Sequence, residues 1–226
     1  MADDLRREFH QQLDDIRAGI TSLAASVTET IPRATQVLLD GDLEGAEYLI
    51  SADEDINKRS HELEERCFDL LALQAPVASD LRQLVTALKM VGEIERSGDL
   101  AVNICKSARR IYGTELDPKL RGMIAQMGEQ AGLLFRLSID AYTEADVPLA
   151  SALDDIDDFL DRLQVDFIAQ IFESHASERI ELLVAVQLAL IARFYERIGD
   201  HGVNIGERVR YMVTGWLPNH DQDPVA

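Results

Sequence analysis

The chain states one ten-residue phrase twice. Glu95-Arg96-Ser97-Gly98-Asp99-Leu100-Ala101-Val102-Asn103-Ile104 returns 101 residues later as Glu196-Arg197-Ile198-Gly199-Asp200-His201-Gly202-Val203-Asn204-Ile205, with seven of ten positions identical. A period this long is one domain-sized unit made twice, not a solenoid array. The preserved residues are mostly polar, which helix packing alone would not demand.

The pattern around each copy is helical. Phe9, Leu13, Ile16, Ile20, Leu23 and Val27 alternate steps of four and three, the seam of a bundle helix. Asp40-Gly41-Asp42 ends that helix. Leu49, Ile56, Leu63, Cys67 and Leu70 carry a second, which stops before Pro76. A third runs from about Val77 to Tyr112, with Leu81, Leu84, Leu88 and Ile94 expected inward. The pattern then restarts. Asp117-Pro118 reads as a cap followed by proline in the first turn, and Leu120, Ile124, Met127, Ala131 and Leu134 carry helix four. Asp146 and Pro148 open helix five, and helix six spans about Ser177 to Val213. The expected fold is all-α: two tandem antiparallel three-helix bundles, residues 1–113 and 114–215, then a frayed tail at 216–226. The breaks match at an offset of 104 and the motifs at 101. The sequence therefore places a three-residue shortfall in the last turn of the second half.

Charge narrows the function. The net charge is −19, spread over both halves, and would repel phosphate backbones. Nucleic acid is excluded as a partner, while cations and basic protein surfaces are favoured. Met1 to Ile16 lacks the apolar core of a signal peptide, and Leu182 to Phe194 is too short and too polar to span a bilayer. Cys67 and Cys105 form no CxxC pair and read as buried fillers. A soluble cytoplasmic protein is expected.

Glu95 and Asp99 are four residues apart, so they share a helix face, and Asn103 extends it. This stripe continues from Leu81 and Leu88, which sets two carboxylates on a side that should pack. Charge there is costly unless paired, protonated or bound to a cation. Gly98 adds a cost of about 1 kcal/mol relative to alanine in a helix, and so implies close approach to the backbone. Glu196, Gly199, Asp200 and Asn204 repeat every element. Asp53 falls on the stripe of helix two, level with Glu95 when both are counted from the turn near Ala75. Asp157 and Asp161 stand level with Glu196 and Asp200 in the same way. Each half thus predicts carboxylates clustered across two facing helices, a donor set suited to magnesium, manganese or iron, with zinc also admitted. Asn103, Asn204, Arg96 and Arg197 are the expected supporting residues. The plainer account is a polar belt setting helix register, with Arg96 and Arg197 neutralising the acids from neighbouring helices. His201 follows one copy of the motif only and reads as a surface residue.

Enzyme signatures are missing: there is no Walker loop, HExxH, GxSxG or dinucleotide fingerprint. No histidine has a glutamate three residues before it, which argues against a di-iron oxygen-activating site.

Pro76-Val77-Ala78-Ser79-Asp80-Leu81-Arg82, followed by the two Glu-Arg-x-Gly-Asp copies, resembles the PhoU family of phosphate-transport accessory and regulatory proteins, over about Phe9 to Met212. The resemblance implies two tandem three-helix bundles. It also implies E(D)xxxD motifs at Glu95/Asp99 and Glu196/Asp200, some family members holding multinuclear metal clusters there. The family's acidic position on the preceding helix maps onto Asp53 and, in the second half, Asp157. The implied function is non-enzymatic: silencing the phosphate-starvation response at the inner face of the membrane. The implied partners are the ATPase subunit of the phosphate ABC transporter and a sensor histidine kinase. The turn before helix six, Ser177-Glu178-Arg179-Ile180, departs from the proline-led form in the first half. A metal-dependent enzyme on a small phosphorylated substrate and a metal-free helical scaffold are the alternatives. A homodimer is compatible with the sequence, though no pattern specifies one.

Overall fold

Six helices fill the described residues: α1 (Ala2–Asp40), α2 (Leu43–Gln74), α3 (Ala78–Arg110), α4 (Pro118–Glu144), α5 (Val147–Ala176) and α6 (Leu182–Thr214). The structure is a computed structural model that describes residues 2–216, with side chains from residue 6 onward. Beyond Trp216, the tail expected to fray lies outside the described residues.

The helix starts follow from caps legible in the sequence. Asp42 Oδ1 accepts the Gly45 amide at 2.9 Å, and Asp146 Oδ1 accepts the Leu149 amide at 2.9 Å, the same device in both halves. Asp117 Oδ1 accepts the Lys119 and Leu120 amides, each at 3.0 Å. The tight turns before α2 and α5 both pass through a left-handed residue. Gly41 adopts it freely at φ 65°, whereas its counterpart Ala145 holds φ 53° against its own Cβ. α1 continues through Pro32 without interruption.

Helices α1, α2 and α3 pack together, as do α4, α5 and α6, and the halves join where α1 meets α4 and α3 meets α6. The core runs unbroken through that joint. Ile20, Leu23 and Ile31 of α1, Leu84 and Ile94 of α3, and Tyr195 and Ile198 of α6 belong to one buried cluster. Polar contacts reinforce it: the Thr35 and Tyr195 hydroxyls meet at 2.8 Å, and Arg121 Nη1 donates to the Leu39 carbonyl at 2.6 Å. Cys67 and Cys105 are both fully buried, and burial pushes their thiols up to about 11 and about 12.

Two expectations are corrected. The second half's shortfall is not in its last turn: the α5–α6 turn, residues 177–181, is longer than the α2–α3 turn, residues 75–77. The helices absorb it instead, α5 having 30 residues against 32 in α2, and α6 starting closer to its motif. Without a proline at its start, this turn is closed by backbone bonds, Ser177 N to Glu173 O and Arg179 N to Ser174 O, with Glu178 left-handed at φ 58°. Leu81 does not pack inward either; it is 39% exposed near the open end of α3. The stripe of Glu95, Asp99 and Asn103 therefore lies on the flank of the buried face, half in solvent.

Candidate acidic sites

In the first half, Asp53 on α2 faces Glu95 and Asp99 on α3. Asp53 is only 9% exposed, and its Oδ1 is buried without a hydrogen-bond partner. Burial, then the Asp99 charge, pushes the Asp53 carboxyl above its usual range; Lys106 and a 3.4 Å hydrogen bond from Asn57 Nδ2 pull it back. Glu95 is raised by burial first and by Asp99 next. Asn103 accepts a hydrogen bond from Lys106 Nζ at 3.5 Å.

The second half repeats this layout with more negative charge. Asp157 on α5 matches Asp53 in exposure, 9%, and in an unpartnered buried Oδ1. Burial and then the charges of Asp161, Asp200 and Glu196 push it up to about 7. Asp161 is raised by burial and Asp200. Glu196 is raised by burial and Asp200 despite its hydrogen bond from Arg193 Nη1, and its Oε2 is buried and unpartnered.

The internal glycine of each motif has different work to do. A Cβ on Gly199 would overlap Asp157 Oδ1 and come within 2.8 Å of Leu160, so the backbone of α6 is what Asp157 presses against. At Gly98 a Cβ would meet Val27 at 3.4 Å and Asp53 Oδ1 at 3.9 Å, which is ordinary contact.

The arginines are placed differently from expectation. Arg96 Nη2 pairs with Glu93 of its own helix at 2.7 Å, and Arg197 is exposed on α6. The cation at the second cluster is Arg193, three residues before Glu196 on the same helix. His201 is not a surface residue. It is 6% exposed, and its Nδ1 donates to Glu93 Oε2 at 2.6 Å across the α3–α6 joint. Asn204 also turns to this joint, Nδ2 donating to Glu93 Oε2 at 3.4 Å. Burial opposes the Glu93 charge, but His201, Arg96 and Asn204 together outweigh it and hold the carboxyl below its usual range.

Sequence reasoning missed Glu93, Arg193, Lys106 and Asn57. The signal that could have found Glu93 and His201 was the mismatch between the repeats. Phe194 stands at the counterpart of Glu93 and Leu100 at that of His201, so these two polar residues belong to no repeated pattern.

Carboxylate oxygens, several buried and unpartnered, suit a hard cation. Among the described residues, no three His, Cys, Asp or Glu side chains already converge on a metal-binding group. Seating a cation would require side chains to turn, with Glu196 leaving Arg193.

Fold and site define a duplicated helical-bundle protein with one carboxylate cluster per bundle. The PhoU domain model matches residues 20–108 and again 124–209. The phosphate-specific transport system accessory protein PhoU homolog 1 of Mycobacterium leprae is 35% identical over 221 residues, covering 97% of this chain and 99% of that protein. A Pseudomonas putida PhoU homolog is 27% identical, with 96% and 84% covered. The crystal structure of PhoU from Pseudomonas aeruginosa superposes with a TM-score of 0.87 at 27% identity, covering 92% of this chain and all of that one. That of the phosphate transport system regulatory protein PhoU from Streptococcus pneumoniae gives 0.86 at 26%, with 93% and 99% covered. The chain belongs to the PhoU family.

Proposed function

We propose that this chain is a cytoplasmic regulator of phosphate uptake that keeps the phosphate-starvation response silent when phosphate is plentiful. It would do so by linking the ATPase subunit of the phosphate ABC transporter to its sensor histidine kinase, acting peripherally at the inner face of the membrane through those partners. The observation that carries this reading is the match over nearly the whole chain to proteins named as accessory and regulatory parts of phosphate transport. The family is one of accessory proteins rather than enzymes. No described helix is long and apolar enough to cross a membrane, which fits recruitment through partners. Net charge −19 favours basic protein surfaces.

The two acidic clusters are the chemical part of the proposal: each takes a hard divalent or trivalent cation such as magnesium, manganese or iron. Asp53 and Asp157, raised by burial and then by neighbouring carboxylates and each with one buried oxygen, Oδ1, left without a hydrogen-bond partner, support it. The test of the regulatory reading is deletion of the gene. Expression from a phosphate-starvation promoter should rise in phosphate-rich medium; unchanged expression would reject it.

A further inference from the structure

The two clusters are copies, yet Asp161 puts a carboxylate in the second where the first carries a neutral group, and Lys106 of the first has no cationic counterpart in sequence in the second. At the offset of 104 that pairs Asp53 with Asp157, Asn57 pairs with Asp161. At the offset of 101 that pairs the motifs, Lys106 pairs with Glu207. Asn57 donates a hydrogen bond to Asp53, and Lys106 attracts it. Asp161, of nearly the same size as asparagine, instead repels Asp157. The second cluster compensates differently: Arg193, at the place of Gly92, reaches into it and holds Glu196. Meanwhile Asp157 Oδ1 stays buried and unpartnered against the backbone at Gly199.

We propose that the second cluster (Asp157, Asp161, Glu196 and Asp200) is the tighter of two unequal sites for a hard divalent cation, and that Arg193 is its tethered counter-ion, releasing Glu196 when the cation enters. The inference rests on the cation-binding part of the proposed function and adds which half binds first and what must move. The argument is electrostatic. A divalent ion gains most where carboxylates are crowded and least compensated, and one extra carboxylate at a few ångströms changes affinity by about tenfold or more. At the first cluster, Asn57 and Lys106 have already relieved the crowding. At the second, one flexible arginine does so from a half-exposed position, and it can swing to solvent as the entering cation takes its place against the largely buried Glu196 carboxylate.

The test is equilibrium dialysis of the full chain against Mn²⁺ alone, with bound metal measured by elemental analysis. The native chain should show one tight and one weaker class of site. Asp161→Asn should weaken the tight class about tenfold and leave the other unchanged. Asn57→Asp should tighten the weaker class, and Arg193→Gln should tighten the strong one. Two equal classes, a tight class insensitive to Asp161→Asn, or weaker binding in Arg193→Gln would overturn the asymmetry while leaving the cation reading intact. No Mn²⁺ bound by the native chain would overturn both.

Discussion

His201 Nδ1 donates to Glu93 Oε2 at 2.6 Å, both side chains buried, one on α6 and the other on α3. This pair, with Arg96 and Asn204 on the same carboxylate, ties the two repeats together at a point where the repeats themselves differ.

Removing one side of that pair should be costly. Glu93→Gln leaves buried donors without a charged partner and should lower stability by about 1–3 kcal/mol. The double variant Glu93→Leu/His201→Leu, which makes the joint apolar, should recover much of the loss. Urea unfolding midpoints at constant slope measure both. Because the Glu93 carboxyl is held below its usual range, its contribution is present above the unfolded value near 4.5 and lost as pH falls through the folded one. The Glu93→Gln penalty should therefore shrink in acid.

The two motif glycines should respond oppositely to alanine. Gly98→Ala has room for its Cβ and gains helix propensity, so stability should hold or rise by up to about 1 kcal/mol. Gly199→Ala drives a methyl into Asp157 and Leu160 and should lose about 1–3 kcal/mol. Thermal midpoints of the two variants, measured without added metal, give the comparison. Equal effects would mean that Asp157 does not rest against α6 as described.

Asp157 makes the fold sensitive to rising pH. Its carboxyl goes from an ordinary value of 3.8 up to about 7 in the folded chain, so the folded state holds a proton that the unfolded state has released. Stability should fall as pH rises between those values when no cation is present. Asp157→Asn should flatten that slope and raise stability at pH 8 by roughly 1–2 kcal/mol, solvent on the open side of the cluster screening part of the shift. Denaturation midpoints from pH 4 to 8 read this directly.

What the sequence disclosed was whatever lies along one helix or is counted from one turn. Asp42, Asp117 and Asp146 announced their helix starts through local capping chemistry. Asp53 and Asp157 could be set level with the motifs because short turns make neighbouring helices antiparallel. The α3–α6 joint could not be read this way. Periodicity says which side of α6 is apolar but not which helix covers its edge, and so His201, present in one copy of the motif only, reads as a surface residue. Leu81 shows the reverse: it lies on the stripe by spacing but near the start of its helix, where it stays 39% exposed. Arg193 lies outside the repeated motif, so no repeat marks it, yet from three residues upstream it reaches Glu196.

We propose that the duplicated motif builds acidic sites through which this chain silences the response to phosphate starvation. The direct measurement is a phosphate-starvation promoter reporter in a deletion strain grown in phosphate-rich medium. The strain should be complemented with either the native chain or a Glu95→Ala/Glu196→Ala variant whose fold is checked by circular dichroism. The native chain should restore silence, and the folded variant should leave the reporter on. A deletion strain that stays silent, or a variant that silences as well as the native chain, would contradict the account.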